Sequence, residues 1–381
     1  MNAKHDESHV NAGIRDTNRR SITGLLYRAG PCSQQEICSQ LGLSLPTVSG
    51  ILRELEAQDN IVESTAEHSV SGRRPKLYAL NADHFRLSSV DLAPDGYSIM
   101  IANIRKAVIS IEHYDMPFFD DRSYWKELFS RLWKQAADAG IPKYGLLNTV
   151  ILFPGAVDPG KEFAEVSPGL TISTDVLSRY ASPPDYFILV NRSINAVAYT
   201  CAELFSLSSY VYLDVGEEIQ GVISVHRIVL PGANYMSARF GHITIVPDGK
   251  ECSCGCCGCL NAYCSTSVLK KGSVRSLSSF FRSAAEVPWE RERLTVYLSH
   301  LADGLANIIN MLDLPVIIGG ELAESMDDIS RVRLQELTRM RLCRPLGKDM
   351  ILYSVRPEHA ALTGGIQMGI DRFLSRQKKN K

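Results

Sequence analysis

Long apolar runs are missing from this chain of 381 residues. The longest, Leu146 to Val157, is interrupted by Asn148, Pro154 and Gly155, and a membrane-spanning helix needs about 20 residues. No helical membrane span and no membrane partner are therefore expected. An excess of charge of either sign is missing too. The formal net charge is -1, which excludes a surface coated in basic charge but leaves local basic patches open. There is no low-complexity segment and no internal repeat. The polar start, Met1-Asn2-Ala3-Lys4-His5-Asp6-Glu7, does not resemble a secretory leader, so a cytoplasmic location is expected. The basic end, 376–381, is read as a solvated tail. What remains has the composition of a globular protein, long enough for roughly two or three domains.

Cysteine is not scarce, and it is unevenly placed. Gly241-His242 is followed by Cys252-Ser253-Cys254-Gly255-Cys256-Cys257-Gly258-Cys259-Leu260. Thiolates and an imidazole this close in sequence close a tetrahedral zinc site with little loop entropy. His242, Cys252, Cys254 and Cys259 are the expected ligands. Four protein ligands leave no position for a reacting water, so the ion is expected to be structural. Disulfides are the competing reading, and a cytosolic chain disfavours them. Cys256, Cys257 and Cys264 are left over as substitute ligands or oxidation-prone bystanders.

Residues 18–83 read as a winged helix-turn-helix, preceded by a flexible segment, 1–17. Ile22, Leu25 and Leu26 sit at helical spacing and stop at Gly30-Pro31. Ser33 and Glu36 form a capping box for a short helix that ends at Gly42. Ser44 caps the next helix, with Pro46 in its first turn and Val48, Ile51, Leu52 and Leu55 as its apolar stripe. That layout places a second helix in the major groove of double-stranded DNA. Ser44, Thr47, Ser49 and Arg53 lie on or beside its exposed face and are the expected base or phosphate contacts. A polar hairpin from Ser64 to Ser71 and Gly72-Arg73-Arg74-Pro75-Lys76 read as a wing, with Arg73, Arg74 and Lys76 on phosphates or in a minor groove.

From residue 84 to 381 strands alternate with helices, as in an α/β domain. Ser88–Leu92, Tyr97–Ile104 and Val108–His113 are expected strands. A helix over Tyr124–Ala139 leads to a buried strand at Thr149–Phe153. A second such unit starts at Tyr210–Val215, and a long helix, Tyr297–Leu312, feeds Val316–Ile318 and a Gly319-Gly320 turn.

In these motifs the chain resembles the ROK family of repressors and sugar kinases, and specifically its winged-helix repressors. The cysteine motif carries the resemblance, with Phe153-Pro154-Gly155-Ala156-Val157-Asp158, Asn307-Ile308-Ile309-Asn310-Met311-Leu312-Asp313, Gly319-Gly320, Thr47-Val48-Ser49 and Gly72-Arg73-Arg74-Pro75. It implies an actin-like, ribonuclease H-like fold of two lobes, roughly 84–190 and 191–381, assembled as a homodimer or homotetramer. Sugar and nucleotide sites would lie in its cleft.

Three kinase elements are altered. The phosphate loop reads Asp91-Leu92-Ala93-Pro94-Asp95, where Pro94 has no N–H and Asp95 would repel phosphate. The glycine-rich loop reads Gly216-Glu217-Glu218-Ile219-Gln220-Gly221-Val222, with two carboxylates where ATP would lie. The motif that holds the family's catalytic Asp reads Arg192-Ser193-Ile194-Asn195, and Ser193 cannot be the base at neutral pH. Neither ATP binding nor enzyme activity is expected.

The resemblance places sugar contacts at Ser193, Asn195, Arg239, His242 and Asn261. Ser193, Arg239 and Asn261 stand where the family has carboxylates. Two readings stay open: an effector that is a sugar acid or phosphosugar, or a vestigial cleft in which Arg239 pairs with a carboxylate such as Glu217. The overall expectation is a DNA-binding transcriptional repressor sensing a carbohydrate-derived effector. Its competitors are a sugar kinase with a DNA-binding arm and a zinc- or thiol-responsive regulator.

Overall fold

The computed structural model describes residues 3–65, 76–119, 121–142, 145–158, 162–167, 170–180, 186–271, 276–344 and 350–375. It divides into two compact units, one spanning 1–151, 174–190 and 365–381, the other 152–173 and 191–364. The chain thus returns to the first unit at its end, and 152–173 packs with the second.

The first unit opens with helix α1 (Ala3–Ala29), which starts inside the segment set apart from the domain on sequence grounds. It ends where Gly30 takes a left-handed φ of 80°. Strand β1 (Cys32–Ser33) leads into α2 (Gln34–Leu41), α3 (Leu45–Ala57), β2 (Ile61–Thr65) and β3 (Lys76–Leu80). The three strands pair antiparallel in the order β1-β3-β2, with Cys32 opposite Tyr78 and Ile61 opposite Leu80. Ile22, Leu26, Ile37, Val48, Ile51, Leu52 and Leu55 are all buried and form the core under this sheet. Burying such side chains favours folding by about 1.5–3 kcal/mol each.

The carboxyl end of α1 is fastened to the rest of its unit. A helix leaves its last carbonyls without intrahelical partners, and here Arg105 supplies them. Its guanidinium donates to Tyr27 O at 3.0 Å and Leu26 O at 3.3 Å, and lies over the Tyr27 ring. The Gln367 amide donates to the Tyr27 hydroxyl at 3.3 Å.

The first unit continues with β4 (Arg86–Leu92), β5 (Tyr97–Asn103), β6 (Val108–Tyr114), α4 (Arg122–Asp138) and most of β7 (Leu146–Phe153). A small antiparallel sheet, β8 (Val157–Asp158), β9 (Phe163–Ser167) and β10 (Leu170–Ser173), belongs to the second unit. Then come β11 (Phe187–Arg192) and α5 (Ser193–Glu203). The first large sheet runs β11-β7-β4-β5-β6.

The second large sheet uses β12 (Tyr210–Val215), β13 (Ile219–Val225), β14 (Ile228–Val229), β15 (Val316–Gly319) and β16 (Ile351–Tyr353). Its order, β14-β13-β12-β15-β16, repeats the first: a three-stranded meander whose opening strand neighbours the fourth, with the fifth outside. Strand β15 lies parallel to both β12 and β16. Val316, Ile317 and Ile318 are fully buried, the continuous apolar pattern of a parallel strand covered on both faces. Helices α6 (Asn261–Cys264), α7 (Thr266–Lys270), α8 (Leu277–Glu286), α9 (Pro288–Leu312), α10 (Gly320–Ser325) and α11 (Asp328–Arg339) belong to this unit, and α12 (Ala360–Ser375) closes the chain. The strands and long helices expected from sequence are all found, most of them one to several residues longer, β15 running on through Gly319 and the long helix starting at Pro288.

Candidate functional site

The cysteine-rich segment folds as a compact knuckle. Ile245 N–H donates to Gly258 O at 2.9 Å, Gly258 N–H to Lys250 O at 2.8 Å, and Cys252 N–H to Cys256 O at 2.9 Å. The reversal depends on glycine at 258, where φ is 79° and a Cβ would sit 1.8 Å from Val246 O. Leu260 anchors the knuckle in the core, and Tyr263 accepts the Lys250 N–H at 2.7 Å. A short 3-10 turn, Phe240–His242, presents the imidazole.

His242, Cys252, Cys254 and Cys259 converge, with their ligand atoms all within 4.8 Å of one another. His242 Nδ1 is 3.7 Å from Cys252 Sγ, and Cys254 Sγ is 3.7 Å from Cys259 Sγ. A tetrahedral zinc with bonds of about 2.0–2.3 Å sets neighbouring ligand atoms roughly 3.5–3.8 Å apart. The donors fit one metal ion, and all ten cysteines are free thiols. The Cys256 backbone N–H holds the Cys254 thiol below its ordinary pKa. Burial, then neighbouring thiols, pushes Cys259 up to about 12. A divalent cation reverses that penalty by stabilising the thiolates. Cys256 and Cys257 are exposed; Cys264 is fully buried, its thiol 3.9 Å from Tyr297 O and away from the ligand set.

The positions expected to touch a sugar all lie in the second unit. Asn195 is buried in α5 and donates to Asn191 Oδ1 at 2.8 Å. Asn261 accepts the Ile219 N–H at 2.9 Å, so its oxygen fixes the start of β13. Ser193 opens α5. His242 turns Nδ1 to the metal donors, and its ring is exposed. Arg239 precedes the 3-10 turn, exposed, with one guanidinium nitrogen 2.9 Å from Met236 Sδ. The suggested pairing of Arg239 with Glu217 is not found. Glu217 lies 3.8 Å from Lys270, whose ammonium is 2.7 Å from Glu321.

Those lysine contacts alter the loop that resembles the kinases' glycine-rich loop. Gly216 O accepts the Thr266 N–H at 2.8 Å, and the Thr266 hydroxyl donates to Glu321 at 2.8 Å. The turn is thus cross-linked by protein groups and presents acidic side chains. In the first unit, the segment resembling the phosphate loop is a tight β4–β5 turn, with Ala93 N–H donating to Gly96 O at 2.8 Å.

The helix-turn-helix is assembled as its caps direct. Ser33 and Glu36 exchange hydrogen bonds, 2.7 Å from Ser33 N–H to the carboxylate and 3.3 Å in return. Ser44 caps α3 through Thr47 N–H at 3.4 Å, and the two hydroxyls are 2.8 Å apart. Arg53 is exposed and reaches Ser49 Oγ at 3.5 Å. Lys76 pairs with Glu63 across β2 and β3 at 2.8 Å. Arg73 and Arg74 lie outside the described residues. Sequence reasoning passed over Arg15 and Arg19 of α1, which pair with Glu54 and Gln58 and brace α3 from behind. Their four-residue spacing on one face of α1 was the available signal.

Comparisons with known proteins agree with both regions. The ROK family matches residues 137–371, and a winged helix-turn-helix DNA-binding family matches residues 15–61. A xylose repressor of Caldicellulosiruptor bescii is 24% identical over 378 residues, covering 90% of this chain and 92% of the relative. The DNA-binding transcriptional dual regulator NagC of Escherichia coli K12 is 22% identical over 342 residues, 82% of each chain. Among solved structures, a ROK family transcriptional regulator homologous to the E. coli MLC protein superposes with a TM-score of 0.77 at 19% identity, covering 96% of this chain and 99% of its own. A ROK hexokinase from Thermus thermophilus gives 0.63 at 20% identity, over 74% of this chain and 98% of its own.

Proposed function

This chain belongs to the ROK family and is a DNA-binding transcriptional repressor, and we propose that its ROK domain is non-catalytic, holds a structural zinc ion and binds a carbohydrate-derived effector. The observation that carries the DNA-binding part is the capped α2–turn–α3 unit, with α3 presenting Ser44, Thr47, Ser49 and Arg53. Similarity over 90% and 82% of this chain to repressors named for xylose and N-acetylglucosamine supports a sugar-derived effector. The His242, Cys252, Cys254 and Cys259 donor set supports zinc.

The non-catalytic reading rests on chemistry. Phosphoryl transfer needs a phosphate cradle and a base for the sugar hydroxyl. Pro94 removes an N–H from the first, and Glu217 and Glu218 bring negative charge to the second loop. Ser193 stands in the base's position. A turnover assay with ATP and a panel of hexoses and pentoses is expected to show no nucleotide hydrolysis above the uncatalysed rate.

Two winged helices are needed to read two half-sites, so the working species is a homodimer or a pair of dimers. No described helix is long and apolar enough to cross a membrane, and a cytoplasmic repressor is the reading that fits. The test is retention of fragmented genomic DNA by the purified chain. Enrichment of a few two-fold-symmetric sites is expected; retention with no preferred site, lost at moderate salt, would overturn it.

A further inference from the structure

Two of the thiols between residues 252 and 259, those of Cys256 and Cys257, stand outside the metal donors. The knuckle places them differently. Cys252 N–H donates to Cys256 O at 2.9 Å, and Gly255 N–H donates to Cys252 O at 2.9 Å. Just outside that pair, Glu251 and Cys257 are bridged antiparallel. These contacts describe a hairpin with a three-residue loop, Ser253-Cys254-Gly255, in which Gly255 takes the left-handed φ of 85° that such a loop requires. Residues directly opposite each other in an antiparallel pair put their side chains on one face, and the next pair uses the other. Cys256 is opposite Cys252, so its thiol shares the face on which Cys252 meets His242. Cys257 is opposite Glu251 and takes the other face. Both are exposed, as is the donor Cys254 in the loop, whereas Cys252 and Cys259 are buried. Cysteine is among the residues most often buried, so packing does not account for an exposed pair, and reactivity decides its use.

We propose that Cys256 is the entry thiol of a disulfide-exchange site through which a small disulfide discharges the metal. This rests on the zinc reading above and goes beyond it. A thiolate bound to a cation shares its charge and is the weaker nucleophile, so the unbound and exposed Cys256 reacts first. Its thiol loses a proton to solvent, and the sulfur attacks one sulfur of the small disulfide. That S–S bond breaks, a mixed disulfide forms on Cys256, and one half leaves as thiolate. The Cys254 sulfur then attacks the Cys256 sulfur, giving up the metal as the Cys254–Cys256 bond forms and the second half leaves as thiolate. Two electrons have passed from the protein sulfurs to the small disulfide, which ends as two thiols. Two residues span at most about 7 Å even when extended, and less in a turn, which is within the reach of a disulfide. His242, Cys252 and Cys259 are then three donors where a closed site has four.

The experiment uses the full-length protein, purified under reducing conditions, freed of reductant and mixed with oxidised glutathione beside a chromogenic zinc chelator. In the parent, zinc release is expected to accompany disulfide formation, with fragmentation of the peptide in a mass spectrometer placing the bond between Cys254 and Cys256. Cys256→Ser is expected to keep its zinc before oxidation and to release it at least about tenfold more slowly, because the entry thiol is gone. Cys257→Ser, whose thiol lies on the other face, is expected to release zinc at the parent's rate. Dithiothreitol with added zinc is expected to restore the metal in the parent. Release as fast from Cys256→Ser as from the parent, or slowed equally in Cys257→Ser, overturns the proposal. So does a parent that keeps its zinc in oxidised glutathione, which leaves the metal reading standing. A parent that carries no zinc as purified removes the metal reading itself and this site with it.

Discussion

Cys254→Ser is expected to leave the second unit without a cooperative unfolding transition, or to lower its midpoint by more than about 10 °C. A structural zinc contributes apparent binding free energies of about 10–16 kcal/mol in small zinc modules. That is comparable to the roughly 5–15 kcal/mol by which a whole domain is stable. Here the donors join three segments: the 3-10 turn behind Arg239, the knuckle, and Leu260 with α6, all packed on the core that includes α9. Cys256→Ser and Cys257→Ser are the controls. Both thiols are exposed and lie outside the donor set, so each is expected to shift the midpoint by less than about 2 °C. Metal content by atomic emission is expected to be one zinc per chain in the parent and controls and to fall in Cys254→Ser. Equal stability of all three variants would show that the knuckle folds without metal.

Gly50→Leu on α3 is expected to separate folding from DNA binding. Val48, Ile51, Leu52 and Leu55 face the core, which puts Gly50 on the opposite side of the helix, and a Cβ there meets nothing within 4 Å. Glycine inside a helix is unfavourable by about 1 kcal/mol relative to good helix formers. No neighbour in the fold requires it, so leucine is expected to raise the thermal midpoint by a few degrees. The major groove is about 12 Å wide and a helix with side chains fills about 10–12 Å of it. A leucine on the inserted face pushes the helix outward and lengthens the contacts of Ser49 and Arg53. The expected loss is on the order of 2 kcal/mol in operator affinity, ~30-fold. A fluorescence-anisotropy titration reads it; undiminished affinity would mean that α3 is not the helix in the groove.

The elements that could be read in the sequence were those with short-range causes. Ser33 and Glu36, or Ser44 and Pro46, announce helix starts within four residues. Val316 to Ile318 announces a covered strand by composition alone. The convergence of His242 with Cys252, Cys254 and Cys259 was legible because three of them lie within eight residues and the fourth stands in the Gly241-His242 motif. The extension of α1 back to Ala3 was not, since its first turns are polar with no apolar stripe. Long-range pairings were also out of reach. Nothing near Glu217 in sequence points to Lys270 or Glu321, and so Arg239 was offered a partner that Lys270 had taken.

The clasp that Arg105 and Gln367 place on Tyr27 bears on how operators are built. A DNA-reading head on a slack tether tolerates half-sites at varied separations, because the tether absorbs the difference. This head is joined to its unit through the carbonyls at the end of α1, so its orientation is inherited from the body that carries it. One base pair added between half-sites turns the second by about 35° around the duplex, given 10–10.5 base pairs per turn. A pair of clasped heads has little slack with which to follow. In the homodimer proposed above, helical phase between half-sites then becomes part of the recognition code.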